Sequence, residues 1–127
     1  MNRVIHFELG VDDPERAIRF YSDVFGWKVE NWGGPENYWL VTTGPDGEPG
    51  INGGIMENKA MHRTGAERAA VNTIDVLSID EFAQKIVGAR GRIIMPKTAI
   101  PGVGWQAYCE DTEGNVFGIH KADPAAK

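Results

Sequence analysis

His6 and Glu8 are the pair whose types and spacing most readily suggest chemistry. They stand two positions apart in the alternating run Val4 to Leu9, and alternate residues of a strand share a face. An imidazole beside a carboxylate is the arrangement of a general base with an orienting partner, and equally of a hydrogen-bonded structural pair. His62 falls in a polar stretch and reads as solvated. Cys109, the only cysteine, lies in the mixed segment Trp105-Gln106-Ala107-Tyr108-Cys109 and reads as an inert packed thiol. It can form no internal disulfide, which agrees with a reducing compartment. Lys97 to Gly104 carries two glycines and a proline, but neither the spacing of a phosphate cradle nor the lysine that follows in a P-loop. It reads as a shaped loop able to cover a pocket.

These residues need a scaffold, and hydrophobic periodicity supplies one. Val4 to Leu9 is a predicted strand. Asp12-Asp13-Pro14-Glu15 then offers an N-cap, a first-turn proline and an early acid. From Pro14 to Phe25 the residues Ala17, Ile18, Phe20, Tyr21, Val24 and Phe25 recur at helical spacing, and Gly26 closes the helix. Trp27 to Trp32, Tyr38 to Thr43 and Ile51 to Met56 read as strands, separated by Gly33-Gly34-Pro35 and Pro45-Asp46-Gly47 turns. Trp27 and Trp32 read as packing residues.

After a polar linker, Glu57 to Glu67, the programme repeats. Ala69 to Val76 is a strand, Ser78 caps a helix from Ile79 to Val87, and Gly88 and Gly91 end it. Arg92 to Met95, Trp105 to Glu110 and Val116 to His120 are the strands that follow, the last two joined by the turn Asp111 to Asn115. Val71 lies 65 residues after His6, and Gly118 lies 64 after Gly54. Two anchors of nearly equal spacing argue for a duplication, and two copies are too few for a solenoid. The expectation is one α+β domain over 1–127, built of two βαβββ modules at about 3–57 and 68–121.

Composition bounds the function classes. A net charge of -5, with 13 Lys and Arg scattered along 127 residues, gives no basic stripe for nucleic acid. No apolar run approaches the roughly 20 residues that span a bilayer. The N-terminal residues lack the basic segment, apolar stretch and cleavage site of a secretory signal. The sequence thus predicts a cytoplasmic protein with neither nucleic acid nor membrane as a partner.

The βαβββ repeat, the stretch Asp-Asp-Pro-Glu-Arg-Ala-Ile-Arg-Phe-Tyr-Ser-Asp-Val-Phe-Gly-Trp (Asp12 to Trp27) and the turn Asp-Thr-Glu-Gly-Asn-Val (Asp111 to Val116) carry a resemblance. They are similar to the glyoxalase, bleomycin-resistance and dioxygenase superfamily, also called vicinal oxygen chelate proteins, over about Arg3 to Lys121. Within it the chain looks most like small bacterial proteins related to lactoylglutathione lyase. The resemblance implies a cupped, mostly antiparallel sheet with helices outside, and a homodimer. In the metal enzymes of this family, ligands come from the first and last strand of each module, usually His, Glu or Gln. By the repeat these positions are His6, Gly54, Val71 and Gly118. Only His6 offers a donor side chain, and catalytic sites generally use three protein ligands, so neither a family-type metal nor another cofactor is expected.

Two glycines in place of ligands leave room for a small molecule, with Trp39, Met56, Trp105, Tyr108 and His120 as candidate lining. The same aromatic residues could instead fill the core or a dimer contact. The expected function is therefore metal-free binding of a small molecule, with or without turnover by His6 and Glu8. The alternative is a metal-dependent lyase or dioxygenase with a displaced divalent ion held by His6, His120, Glu8 and Glu57. A third reading is sequestration of a cationic drug, which the charge permits.

Overall fold

In the computed structural model residues 1–34, 37–58 and 69–127 are described. His62, the remainder of the predicted linker after Asn58, and Pro35 lie outside the described residues. The chain is an α+β fold of two βαβββ modules and divides into two compact units, His6–Val71 and Met1–Ile5 with Asn72–Lys127.

The unit His6–Val71 holds most of β1 (Val4–Val11), then α1 (Pro14–Phe25), β2 (Lys28–Asn31), β3 (Tyr38–Thr42) and β4 (Asn52–Glu57). Its strands run in the order β2-β3-β4-β1. β4 lies parallel to β1, while β2 with β3 and β3 with β4 are antiparallel. The predicted helix limits hold. Asp13 accepts the Arg16 backbone N–H at 3.1 Å, Pro14 opens the first turn, and Gly26 closes the last at φ 72. That left-handed backbone is one glycine adopts without strain. Trp27 is a packing residue, its ring stacked on Tyr21 at 4.9 Å and tilted against Phe7 at 5.8 Å.

The other unit contains β5 (Ala70–Asp75) from Asn72 onward, α2 (Ile79–Gly88), β6 (Arg92–Ile100), β7 (Gly104–Glu110) and β8 (Val116–Ala122). The order β5-β8-β7-β6 repeats that of the first module. Again the first and last strands, β5 and β8, are parallel, and the other pairings antiparallel. Val76, Ile79, Ala107, Cys109 and Ile119 form its buried core, with Ile74, Phe82, Ile86, Ile93, Trp105 and Phe117 packed around them. Ser78 caps α2 by accepting from the Glu81 N–H at 3.2 Å. Cys109 is the packed thiol expected, and burial pushes its pKa up to about 11.

One predicted boundary is corrected. The segment read as a loop from Lys97 is strand as far as Ile100, and β6 bends through register shifts on either side of Met95. Pro96 has no N–H for the ladder, and such irregularities let a strand carry a proline and continue. No helix of the described residues is long and apolar enough to cross a membrane.

Candidate functional site

Register decides which side chains share a face. In the unit His6–Val71, Glu8 pairs with Gly54, Gly54 with Leu40, and Met56 with both Gly10 and Tyr38. These residues and His6 occupy one face. Phe7, Val41 and Ile55 occupy the other, and the contact of Phe7 with Trp27 marks it as the side of α1. His6 and Glu8 thus stand together on the face away from the helix, with Glu8 buried to 6% exposure.

Tyr38, which no sequence signal singled out, completes this group. Its hydroxyl lies 2.8 Å from His6 Nε2. Burial holds the His6 imidazole below its ordinary value of 6.5, while the neighbouring Glu8 charge opposes that shift. The neutral ring is thereby favoured, and the tautomer sets whether Nε2 accepts from the phenol or donates to it. Gly54 makes the contact sterically feasible, because a Cβ there would overlap the Tyr38 hydroxyl and ring. The space expected above this glycine is therefore taken by Tyr38. A glycine inside a strand marks such close approaches, and that was the available signal.

The unit with residues 72–127 repeats the motif with different chemistry. Gly118 pairs with Thr73 on one side and Tyr108 on the other, and His120 pairs with Asp75 and Gln106. Gln106, the counterpart of Tyr38 in the register, bonds through Oε1 to His120 Nδ1 at 3.0 Å. Thr73 and Gln106 are buried, at 3% and 7% exposure.

The five candidate lining residues separate by face. Met56 lies with Glu8 and Gly54, while Tyr108 and His120 lie with Gly118. Trp39 pairs with Ile55 and so sits on the α1 side. Trp105 packs against the core beneath α2, its Nε1 donating to Asp123 at 3.0 Å. Strand parity, unresolved in the sequence, makes this division.

Of the four positions the resemblance marks for metal, His6 is engaged with Tyr38, Gly54 and Gly118 have no side chain, and Val71 is a buried aliphatic. This donor set does not fit the family ion. Glu57, proposed for a displaced site, has the parity of Ile55 and lies on the opposite face from Glu8. Among the described residues no three His, Cys, Asp or Glu side chains group closely enough to hold a metal. Elsewhere in the unit His6–Val71 a cavity of about 160 Å³ opens in the loop Thr43 to Asn52 and another of about 410 Å³ between Val11, Asp12 and α1. Neither is lined by His6, Glu8, Tyr38 or Met56, and chemistry, not cavity size, identifies the candidate site.

Residues 3–119 match the family described as Glyoxalase/Bleomycin resistance protein/Dioxygenase superfamily. No curated protein matches the sequence. Among solved structures, methylmalonyl-CoA epimerase from Mycobacterium tuberculosis is similar over 95% of this chain and 88% of its own, at 14% identity and TM-score 0.68. The Streptomyces coelicolor methylmalonyl-CoA epimerase in complex with 2-nitronate-propionyl-CoA is 12% identical, with 100% and 99% covered and TM-score 0.68. A superfamily member from Vibrio splendidus 12B01 is 17% identical, with 94% and 97% covered and TM-score 0.65. At these identities the likeness shows the fold alone.

Proposed function

Because this chain belongs to the glyoxalase/bleomycin resistance protein/dioxygenase superfamily, we propose that it is a metal-independent small-molecule-binding protein whose polar groups stand on the helix-free faces of its strands. The observation that carries this reading is the His6–Tyr38 hydrogen bond above Gly54. At the position where a ligand side chain is expected, a phenol from the neighbouring strand has taken the space and engages the one remaining donor. Buried polar groups kept together on a sheet face are costly unless mutually satisfied, and they are a usual means of orienting a ligand.

Turnover, where it occurs, falls to His6 and Glu8. His6 would take a proton at Nε2 after the Tyr38 hydroxyl turns away, and Glu8 would stabilise the imidazolium that results. Met56, Tyr108 and His120 are the retained lining residues. The stretch Asp12 to Trp27 supports placing the chain beside lactoylglutathione-lyase-related proteins. An acyl-CoA heads the compounds to try, since a similar structure is a complex with one. The exposed Phe20, Val24 and Phe25 of α1 support a homodimer, and the single buried Cys109 suits a reducing cytoplasm.

The test is metal content of the purified protein before and after incubation with nickel, zinc, manganese and ferrous iron, alongside His6→Ala and His120→Ala. No bound ion is expected, together with a melting temperature that rises with an organic ligand and is unmoved by chelator. One ion per chain, lost in both variants, would overturn the reading in favour of a displaced lyase or dioxygenase centre.

A further inference from the structure

Phe20 and Val24 are exposed to 54% and 57% on a helix that has no buried residue. At about 100° per residue they lie near one line of α1, with Val24 about 40° and Ala17 about 60° to one side of Phe20, and Arg16 about 40° and Asp23 about 60° to the other. Phe25 turns away from this line, toward Tyr21 at 6.2 Å and Trp27 at 5.8 Å. Arg16 and Asp23 are exposed, and neither side chain has an ion-pair partner among the described residues. Exposed apolar surface rimmed by polar groups marks a place where another surface rests.

This pattern is complementary to itself. In a second α1 laid antiparallel across a two-fold axis at Phe20, residues equally far before and after Phe20 face each other. Arg16 then lies about 6 Å from the axis and the partner's Asp23 about 4.5 Å from it on the same side, and the symmetry makes this approach twice. Phe20 meets the partner's Phe20 at the centre. The partner's Val24 comes level with Arg16 and Ala17, at the mouth of the cavity of about 410 Å³ that both residues line. Of the other charges on the helix, Arg19 flanks the partner's Asp23, Glu15 points away from the Phe20 side, and Asp13 lies beyond the end of the partner helix. In a parallel pair Arg16 would face the partner's Ala17, and neither charge would be matched. We propose that α1 forms the interface of the homodimer, as an antiparallel helix pair centred on Phe20 and flanked by two Arg16–Asp23 ion pairs between chains. This deepens the homodimer reading and rests on it. The helix has 12 residues and is about 18 Å long, so it alone supplies less than the roughly 800 Å² that each partner gives a standard interface, and the dimer should dissociate on dilution.

The experiment is sedimentation equilibrium of the full chain over a wide range of concentration, with Phe20→Ser, Arg16→Asp, Asp23→Arg and an equimolar mixture of the last two. Arg16→Asp puts an acid in the first turn and Asp23→Arg a base in the last, so both suit the helix itself. Each alone sets like charges together twice and should weaken the dimer about fivefold or more. In the mixture, a chain of one kind meets a chain of the other with both pairs opposite in sign, and association should return to within about threefold of the wild type. Phe20→Ser removes the central contact and should weaken the dimer about tenfold or more. A mixture that associates no more tightly than either variant alone overturns the antiparallel pairing. A wild-type dimer that all three variants leave intact overturns the α1 interface and leaves the homodimer reading standing on another face. A wild type that is monomeric at every concentration removes the homodimer reading, and the proposal with it.

Discussion

Gly54 and Tyr38 depend on each other. With no side chain at 54 the phenol can lie against β4 and reach His6, so a methyl there must displace it. Gly54→Ala should cost about 1–3 kcal/mol in urea unfolding, the usual penalty of overpacking. In Tyr38→Ala the same glycine substitution should cost less by about 1 kcal/mol or more, a non-additivity that a double-mutant cycle measures. His6 carries a second prediction. Burial, opposed by Glu8, lowers its pKa from 6.5, so the unfolded chain takes up this proton at higher pH than the folded one. Between the folded pKa and 6.5 the unfolded state binds more protons, and stability rises with pH through that window before levelling off above it. Unfolding midpoints at about pH 5 and about pH 7.5, in EDTA, should differ more in the wild type than in His6→Asn. Strand alternation makes His6 and Glu8 legible as a pair. Tyr38 was not, because its partner is 32 positions away and only strand pairing brings them together.

Among the elements, α1 is the one most dependent on its ends. None of its residues is buried, so packing contributes less than usual and the cap correspondingly more. Asp13→Ala removes the acceptor for the Arg16 N–H and should cost about 1 kcal/mol by thermal or urea unfolding. Both helices were readable because capping residues and a 3.6-residue period are local signals. β6 was read short because Pro96 resembles a strand end, whereas two register shifts absorb it and Lys97 settles over the Trp105 ring at 4.8 Å. The faces of Trp39 and Trp105 illustrate the same limit. A tryptophan on a short strand has two possible sides, and pairing with Ile55 or packing on the α2 core chooses between them.

At the scale of the molecule, each unit has, among the described residues, one helix, one parallel strand pair and two antiparallel pairs. The exposed apolar residues of α1 lead us to expect a dimer of about 28 kDa, twice the 14.0 kDa chain, in sedimentation equilibrium. A monomer at all concentrations would refute that expectation. The repeat was visible in the sequence because a duplicated module keeps its spacing: 65 residues separate His6 from Val71 and 64 separate Gly54 from Gly118, and strand pairing gives both glycines an equivalent parallel partner, Glu8 and Thr73. Periodicity, caps and the repeat, all local or additive along the chain, determined the element order and the fold class. What fills the space above the two glycines was decided only in three dimensions, since Tyr38 and Gln106 reach it from neighbouring strands through pairings that no local pattern encodes.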